Sequence, residues 1–135
     1  VCIVGPRQSG KTTLSQLVFG EKPYFNFEDP DVEAEAQQTK KFLQRLKDGA
    51  VLDEVQRVPA MFRYLQGRLD ASSKRGQFIL TGSNNFLLQE QIAQSLAGRV
   101  GYLELLPLSY AELKEAKMHA PVVNHIFTGG YPEIW

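Results

Sequence analysis

Residues 5–13 carry the most specific chemical pattern in this sequence. A glycine, four variable residues and a Gly-Lys-Thr run come directly after the apolar residues 1–4 and before a helix-like segment. Such a loop can fold around an anion, because its peptide N–H groups and the start of the helix point toward the same spot. Lys11 would add a point charge on phosphate oxygens, and the Thr12 hydroxyl would supply a ligand for Mg²⁺. The predicted ligand is a nucleoside triphosphate, and the predicted binding residues are Gly5, Pro6, Arg7, Gln8, Ser9, Gly10, Lys11, Thr12 and Thr13.

Two adjacent carboxylates, Asp53 and Glu54, follow the apolar run at residues 50–52. That run is typical of a strand buried on both faces, and α/β sheets bind ligands beyond the carboxyl ends of such strands. Asp53 suits a Mg²⁺ ion that keeps its waters and is held through one or two carboxylates plus phosphate oxygens. Glu54 could accept a proton from the water that attacks the γ-phosphate, or orient that water. The alternative is an acidic pair that only ends a strand.

Ser83 and Arg99 complete the candidate catalytic set. Ser83 and Asn84 follow a predicted strand, so either side chain could sense the γ-phosphate, with Thr81 a weaker candidate. Ser83, Asn84 and Asn85 also fit an ordinary helix N-cap region. Arg99 follows Gly98 and precedes a strand, where it could project a cation onto the transferred phosphoryl group, in cis or from a neighbouring subunit. A solvated surface arginine is the alternative. The predicted catalytic residues are thus Glu54, Ser83 and Arg99, and the predicted metal ligands are Thr12 and Asp53.

Strand-like and helix-like runs alternate along the chain, as in a parallel sheet covered by helices on both faces. Strands are predicted at residues 1–4, 24–27, 50–54, 77–81 and 100–106. Helices are predicted at residues 11–19, 31–47 (in one or two pieces), 59–72, 85–97 and from Ser109, where Ser109 and Glu112 form a capping box. The expected fold class is therefore α/β.

Composition limits the partners. The 135 residues include 15 basic and 15 acidic side chains, so charge gives no support for nucleic acid, which stays a possible partner. The single cysteine, Cys2, cannot form an internal disulfide and fits a reducing cytoplasm. No apolar stretch approaches the length needed to span a membrane. We expect a cytoplasmic domain without membrane contact.

The two ends of the sequence indicate a division of the chain. Residue 1 is not methionine, and the first predicted strand has no lead-in. The sequence stops on Trp135, a large apolar residue with nothing after it to cover it. We expect residues 1–127 to form an N-terminally clipped core, and residues 128–135 to begin a linker to a missing C-terminal domain.

With these residues assembled, the sequence resembles AAA-superfamily ATPases of the additional-strand catalytic-glutamate branch. It is most similar to bacterial and archaeal ATPases that join such a core to a C-terminal domain of unknown function. The motifs that carry the resemblance are residues 5–13, 53–59, 96–99 and 107–110.

The resemblance implies a three-layer P-loop NTPase fold with strand order 5-1-4-3-2. It also implies phosphate binding by Lys11, Mg²⁺ ligation by Thr12, Mg²⁺ coordination through water by Asp53, water activation by Glu54 and γ-phosphate sensing near Ser83. One departure is that no complete helical lid follows the fifth strand.

The predicted function is Mg²⁺-dependent hydrolysis of ATP to ADP and phosphate, in a homo-oligomer or beside a neighbouring subunit, driving an unidentified output domain. A GTPase would need an Asn-Lys-x-Asp segment, and the nearest string, at residues 39–42, lacks the acid. A small-molecule kinase would have little need for adjacent carboxylates after the third strand. The main alternative is an interaction or signalling module that binds ATP with little turnover.

Overall fold

The computed structural model describes residues 1–83, 86–118 and 120–135, with residues 86 and 87 described by their backbone alone. Within these ranges the centre of the molecule is a sheet of five parallel strands. The strands are β1 (Cys2–Gly5), β2 (Tyr24–Asn26), β3 (Ala50–Asp53), β4 (Phe78–Ser83) and β5 (Tyr102–Glu104). Their order is β2-β3-β4-β1-β5, which confirms the predicted order read from the opposite edge.

Helices connect the strands and cover both faces of the sheet. The described residues form α1 (Lys11–Val18), α2 (Pro30–Gln37), α3 (Thr39–Arg45), α4 (Ala60–Asp70), α5 (Phe86–Ser95), α6 (Tyr110–Glu115) and α7 (Val122–Thr128). Two short 3₁₀ turns, Val55–Arg57 and Pro132–Ile134, complete the regular structure. The capping box predicted at Ser109 and Glu112 starts α6 and is confirmed.

The core follows the two-residue period of the strands. Cys2 and Val4 point into the larger cluster, beneath α2 to α5, where Phe42, Phe62 and Leu88 are buried. Ile3, on the opposite face, packs in a smaller cluster with Val51 and Ile79, against Phe19 at the end of α1. Because successive side chains of a strand alternate between faces, both sides of the sheet require a cover of helices.

Several element boundaries differ from the sequence-based expectation. The helical segment expected over residues 31–47, in one or two pieces, forms two helices that span Pro30–Gln37 and Thr39–Arg45 and meet at Gln38, whose backbone leaves the helical region (φ −81°, ψ 53°). The fifth strand is shorter than residues 100–106, because it lies at the edge of the sheet and its side chains are exposed. Helix α7 was not predicted, although Val122, Val123, Ile126 and Phe127 stand at helical spacing; these side chains are exposed rather than packed.

Candidate nucleotide site

The phosphate loop, residues 5–12, joins β1 to α1. Gly10 takes a left-handed conformation (φ 91°) as the N-cap of α1, which a side chain would disfavour. Lys11 begins the helix and is only 6% exposed. Its Nζ donates to the backbone oxygens of Gly5 (3.0 Å) and Pro6 (2.6 Å), so the ammonium group is held inside the loop.

Burial lowers the pKa of Lys11 below its ordinary value of 10.5, while the carboxylates of Glu54 and Asp53 act in the opposite direction. Two backbone carbonyls are incomplete compensation for a buried ammonium group. An anion in the loop would provide the missing charge.

Asp53, at the end of β3, is the centre of a hydrogen-bonded cluster and is 2% exposed. Its Oδ2 accepts from the Thr12 hydroxyl at 2.7 Å and from the Tyr24 hydroxyl at 2.6 Å. Its Oδ1 accepts from the Thr81 hydroxyl and from the backbone N–H of Glu54. The three hydroxyls come from α1, β2 and β4, so the carboxylate has a fixed orientation beneath the loop.

Sequence reasoning missed Tyr24 as a member of this cluster and gave Thr81 little weight. Burial, together with the hydrogen bond to Asp53, raises the pKa of Tyr24. Its hydroxyl therefore acts as a donor throughout the physiological pH range. The available signal was the position of Tyr24 on the strand that pairs with β3, but only the strand order shows that pairing.

Glu54 leaves the strand in a left-handed conformation (φ 54°, ψ 45°) and leads into the Val55–Arg57 turn. Within that turn, the Nε2 of Gln56 donates to Oε2 of Glu54 and, at 3.4 Å, to the hydroxyl of Ser83. Ser83 ends β4 in register with Gly5 of β1. The structure therefore brings Glu54 and Ser83 together beside the phosphate loop, with Gln56 between them. The other sensing candidate, Asn84, lies outside the described residues.

An open cavity of about 600 Å³ lies beyond the carboxyl ends of the strands, next to the phosphate loop. Its volume is within the range of small-molecule sites. Its charged side chains are two cations and three carboxylates, so a triphosphate would enter more easily with a metal ion than alone. The lining residues are Arg7, Gln8, Gly10, Lys11, Thr12, Thr13, Glu28, Glu54, Pro132 and Glu133.

The remaining loop residues have separate roles. Arg7, three-quarters exposed, forms an ion pair with Glu28 at 3.2 Å. Gln8 donates from Nε2 to Oε2 of Glu133 at 2.9 Å. Ser9 is buried, and its hydroxyl has no hydrogen-bond partner among the described residues. Such an unpaired donor inside a phosphate loop is suited to an anion.

Residues 129–135 bring two side chains to the lining of this cavity. The backbone N–H of Leu108 donates to the oxygen of Gly130 at 2.7 Å, and the indole N–H of Trp135 donates to the oxygen of Gly129 at 2.9 Å. Pro132 and Glu133 thereby line the cavity next to the loop. Sequence reasoning did not assign these two residues to the site, because nothing local connects residue 133 with residue 8.

Arg99 lies at the opposite end of the strands from the phosphate loop. It lines a separate cavity of about 690 Å³ together with Val1 and Phe78, where β1 and β4 begin. Strand β1 separates this end from the phosphate loop by about 10 Å. Its Nε and Nη2 bind the Asp70 carboxylate at 2.6 and 3.1 Å, and its Nη1 donates to Ala97. The structure does not bring Arg99 to the phosphate loop of its own chain, so its assignment stays a prediction about a neighbouring subunit.

Cys2 lies in the core of the protein. Burial raises the pKa of Cys2 to about 12, which fits an inert core thiol. Within residues 1–83, 86–118 and 120–135, His, Cys, Asp and Glu side chains nowhere gather in a group of three or more that could hold a metal ion. No helix in these ranges has the length and apolar character needed to cross a membrane.

A parallel sheet in this order, a phosphate loop between β1 and α1 and a buried carboxylate at the end of β3 define a P-loop nucleoside triphosphatase fold. The family model described as an AAA domain matches residues 1–114, and the chain therefore belongs to that AAA-domain family. This membership makes the chain a nucleotide-binding domain of the ATPase type.

Similar proteins include two uncharacterised proteins, one from Mycobacterium bovis and one from Mycobacterium tuberculosis. Each is 35% identical to this chain over 115 residues. The matched segment covers 84% of this chain and 26% of each relative. The chain thus spans about a quarter of the length of these relatives.

Proposed function

We propose that this domain binds ATP with Mg²⁺ and hydrolyses it to ADP and phosphate. The observation that carries the proposal is the 2.7 Å hydrogen bond from the Thr12 hydroxyl to the Asp53 carboxylate. Lys11 precedes Thr12 in the loop, and Glu54 directly follows Asp53. The arrangement supplies a cation, a metal-binding pair of oxygens and a carboxylate for water in one cavity.

The donor set fits Mg²⁺. This ion prefers oxygen ligands and is usually bound through one or two carboxylates plus substrate phosphates. Thr12 would be a direct ligand, and Asp53 would act through water. The bound ion would neutralise phosphate charge, which the carboxylates of Glu28, Glu54 and Glu133 otherwise oppose.

The residues of the chain divide the remaining work. Lys11 exchanges its contacts with loop carbonyls for phosphate oxygens, and the hydroxyl of Ser9 and the loop N–H groups add donors. Glu54 accepts a proton from the attacking water or orients that water. Ser83 reads the γ-phosphate from the end of β4. These roles are supported by the lining of the cavity by Lys11 and Glu54, by the position of Ser9 inside the phosphate loop, and by the pairing of Ser83 with Gly5 of β1.

We further propose that residues 1–127 form the catalytic core, that residues 128–135 lead to an output domain, and that the protein works in the cytoplasm as an oligomer in which Arg99 serves a neighbouring subunit. The greater length of the relatives supports a further domain. The exposed position of Arg99, far from its own phosphate loop, supports action on a neighbour.

Separating binding from hydrolysis tests this function. Glu54→Gln should retain ATP binding with Mg²⁺ while phosphate release falls about a hundredfold or more. Asp53→Asn should instead weaken the Mg²⁺ dependence of binding. Glu115→Gln, on the exposed face of α6, is the matched control for loss of a carboxylate and should leave both unchanged.

Equal phosphate release by wild type and Glu54→Gln would reject the catalytic role of Glu54. Tight ATP binding by the wild type without multiple turnovers would favour an interaction module instead of an ATPase.

A further inference from the structure

Gln56 lies between the two side chains that are proposed to face the γ-phosphate. Its Nε2 is the shared donor to Oε2 of Glu54, which directly follows β3, and to the hydroxyl of Ser83, which ends β4. A carboxamide suits this place because it can donate to a carboxylate without bringing a second negative charge beside it.

The backbone fixes Gln56 from both sides. Val55, the first residue of the turn, and Val58, which follows the turn, are fully buried, and Glu54 holds the left-handed conformation that starts the turn. A left-handed glutamate costs conformational energy, so packing of the two valines must maintain it. Gln56 therefore has little freedom to leave its two acceptors.

The end of β4 is shaped around the Gln56 side chain. A Cβ atom on Gly82 would overlap Oε1 of Gln56 and also contact Leu88 at 2.7 Å. Oε1 is itself buried and has no hydrogen-bond partner among the described residues. Burying an unpaired acceptor is unfavourable, so the contacts of Nε2 must outweigh that cost for this orientation to persist.

From this geometry we propose that Gln56 is a positioning residue for hydrolysis, an inference that rests on the proposed function. By holding Oε2 of Glu54, Gln56 leaves the other carboxylate oxygen free to accept from the attacking water. By also contacting Ser83, it couples the direction of Glu54 to the group that reads the γ-phosphate. Gln56 touches neither nucleotide nor water in this proposal.

Gln56→Met tests the role because it preserves the length of the side chain and removes the donor. We expect kcat for ATP hydrolysis to fall at least about tenfold, since small misplacement of a catalytic group is costly, while the Kd for ATP stays within about threefold. Gln56→Leu, which removes the donor without adding a charge, should show the same split. Gln77→Met is the matched control, because Gln77 also has a buried, unpaired Oε1 but lies at the other end of β4.

A double substitution separates positioning from general destabilisation. In the Glu54→Gln background, Gln56→Met should cause no further loss of residual hydrolysis, because the residue acts only through Glu54. The same fold loss in both backgrounds would overturn the proposal. So would a kcat within twofold of wild type in folded Gln56→Met protein that turns over ATP.

A measurement without turnover keeps the two proposals apart. The side-chain amide signals of Gln56, assigned in ¹⁵N-labelled protein by their loss in Gln56→Met, should shift on Glu54→Gln and on Ser83→Ala. Unshifted signals in both variants would reject the bridge whatever the activity. Shifted signals in a wild type that does not hydrolyse ATP would retain the bridge and reject the proposed hydrolysis.

Discussion

At the scale of single residues, the site contains two buried charged groups, the Asp53 carboxylate and the Lys11 ammonium group, and only the carboxylate has a full set of hydrogen bonds. Asp53 is buried but accepts from three hydroxyls and a backbone N–H, which compensate for its lost hydration. Lys11 is buried with two carbonyl acceptors. The carboxylate is therefore a fixed part of the fold, whereas the ammonium group is prepared for a ligand.

Lys11→Met should remove nucleotide binding without weakening the fold. Methionine keeps the apolar stem, and loss of a buried ammonium group removes a desolvation cost. We expect ATP affinity to fall at least about tenfold, or about 1.4 kcal/mol, with an equal or higher thermal midpoint. Calorimetric titration and thermal melts measure the two effects; unchanged affinity in a folded variant would contradict the assignment.

The pH dependence of this variant follows from the lowered pKa of Lys11. The folded chain binds this proton more weakly than the unfolded chain, so the destabilisation from burying the ammonium group is complete below the folded-state pKa and is relieved as pH rises through that pKa toward 10.5. The free energy of unfolding of the wild type should therefore approach that of Lys11→Met between neutral pH and about pH 10. Urea titrations of both proteins at several pH values measure this convergence. A difference in unfolding free energy that stays constant with pH would contradict the prediction.

At the scale of elements, short connections after the strands present the functional groups. The phosphate loop follows β1, the Glu54 turn follows β3, and Ser83 ends β4. Parallel pairing brings these three carboxyl ends to the same end of the sheet, with Gly5 opposite Ser83 in register. At the amino-terminal end of the strands, Gly49 enters β3 with φ 92°, and the N–H of Ala50 donates to the oxygen of Gln77 at 3.2 Å.

Gly49→Ala should strongly destabilise the sheet. A Cβ at this position would overlap the backbone of Gln77, and alanine disfavours the positive φ. We expect the free energy of unfolding to fall by at least about 2 kcal/mol. Gly67→Ala is the control, because its Cβ would meet nothing within 4 Å in helix α4 and should stabilise by about 0.5–1 kcal/mol. Similar effects of both substitutions in urea unfolding would show that the close approach at Gly49 has no energetic weight.

At the scale of the whole molecule, the nucleotide cavity and Arg99 lie at opposite ends of the strands, and Pro132 and Glu133 line the nucleotide cavity. The segment 129–135 reaches the phosphate loop through the contact between Gln8 and Glu133. The site therefore combines the phosphate loop with residues 132 and 133, and whatever moves segment 129–135 changes the surroundings of the phosphates.

Glu133→Gln should increase affinity for ATP. The substitution keeps an acceptor for Gln8 but removes one of three carboxylates from the cavity that would receive the phosphates. We expect a gain of about two- to fivefold at low salt that shrinks as ionic strength rises, because the effect is electrostatic. Titrations at two salt concentrations measure this dependence. Weaker binding would instead assign the carboxylate a direct part in holding the nucleotide or its metal.

A mixture of two inactive variants tests action between subunits. If Arg99 serves a neighbour, Arg99→Ala mixed with Glu54→Gln should recover hydrolysis, because each variant retains the group that the other lacks. Asp70→Asn is the control, since it removes the ion-pair partner but leaves the guanidinium group. Without recovery, and with wild-type turnover per subunit independent of concentration, Arg99 would have only a surface role.

The sequence by itself determined the local chemistry of this protein: the phosphate loop, the adjacent carboxylates after a buried strand, the capping box at Ser109 and, from the alternation of strands and helices, the α/β class. These features depend on residues that are close together in the chain, where spacing alone fixes which groups can meet. The strand order came from the family resemblance, and the structure confirms it.

Only the tertiary structure decided which distant groups share the site. Tyr24 and Thr81 meet Asp53, Gln56 joins Glu54 to Ser83, and Arg99 lies at the far end of the strands. Strand pairing sets these contacts, and pairing between distant segments depends on burial and register that no local pattern encodes. The same reason explains the contact between Gln8 and Glu133, because residues so distant in sequence meet only when the chain folds.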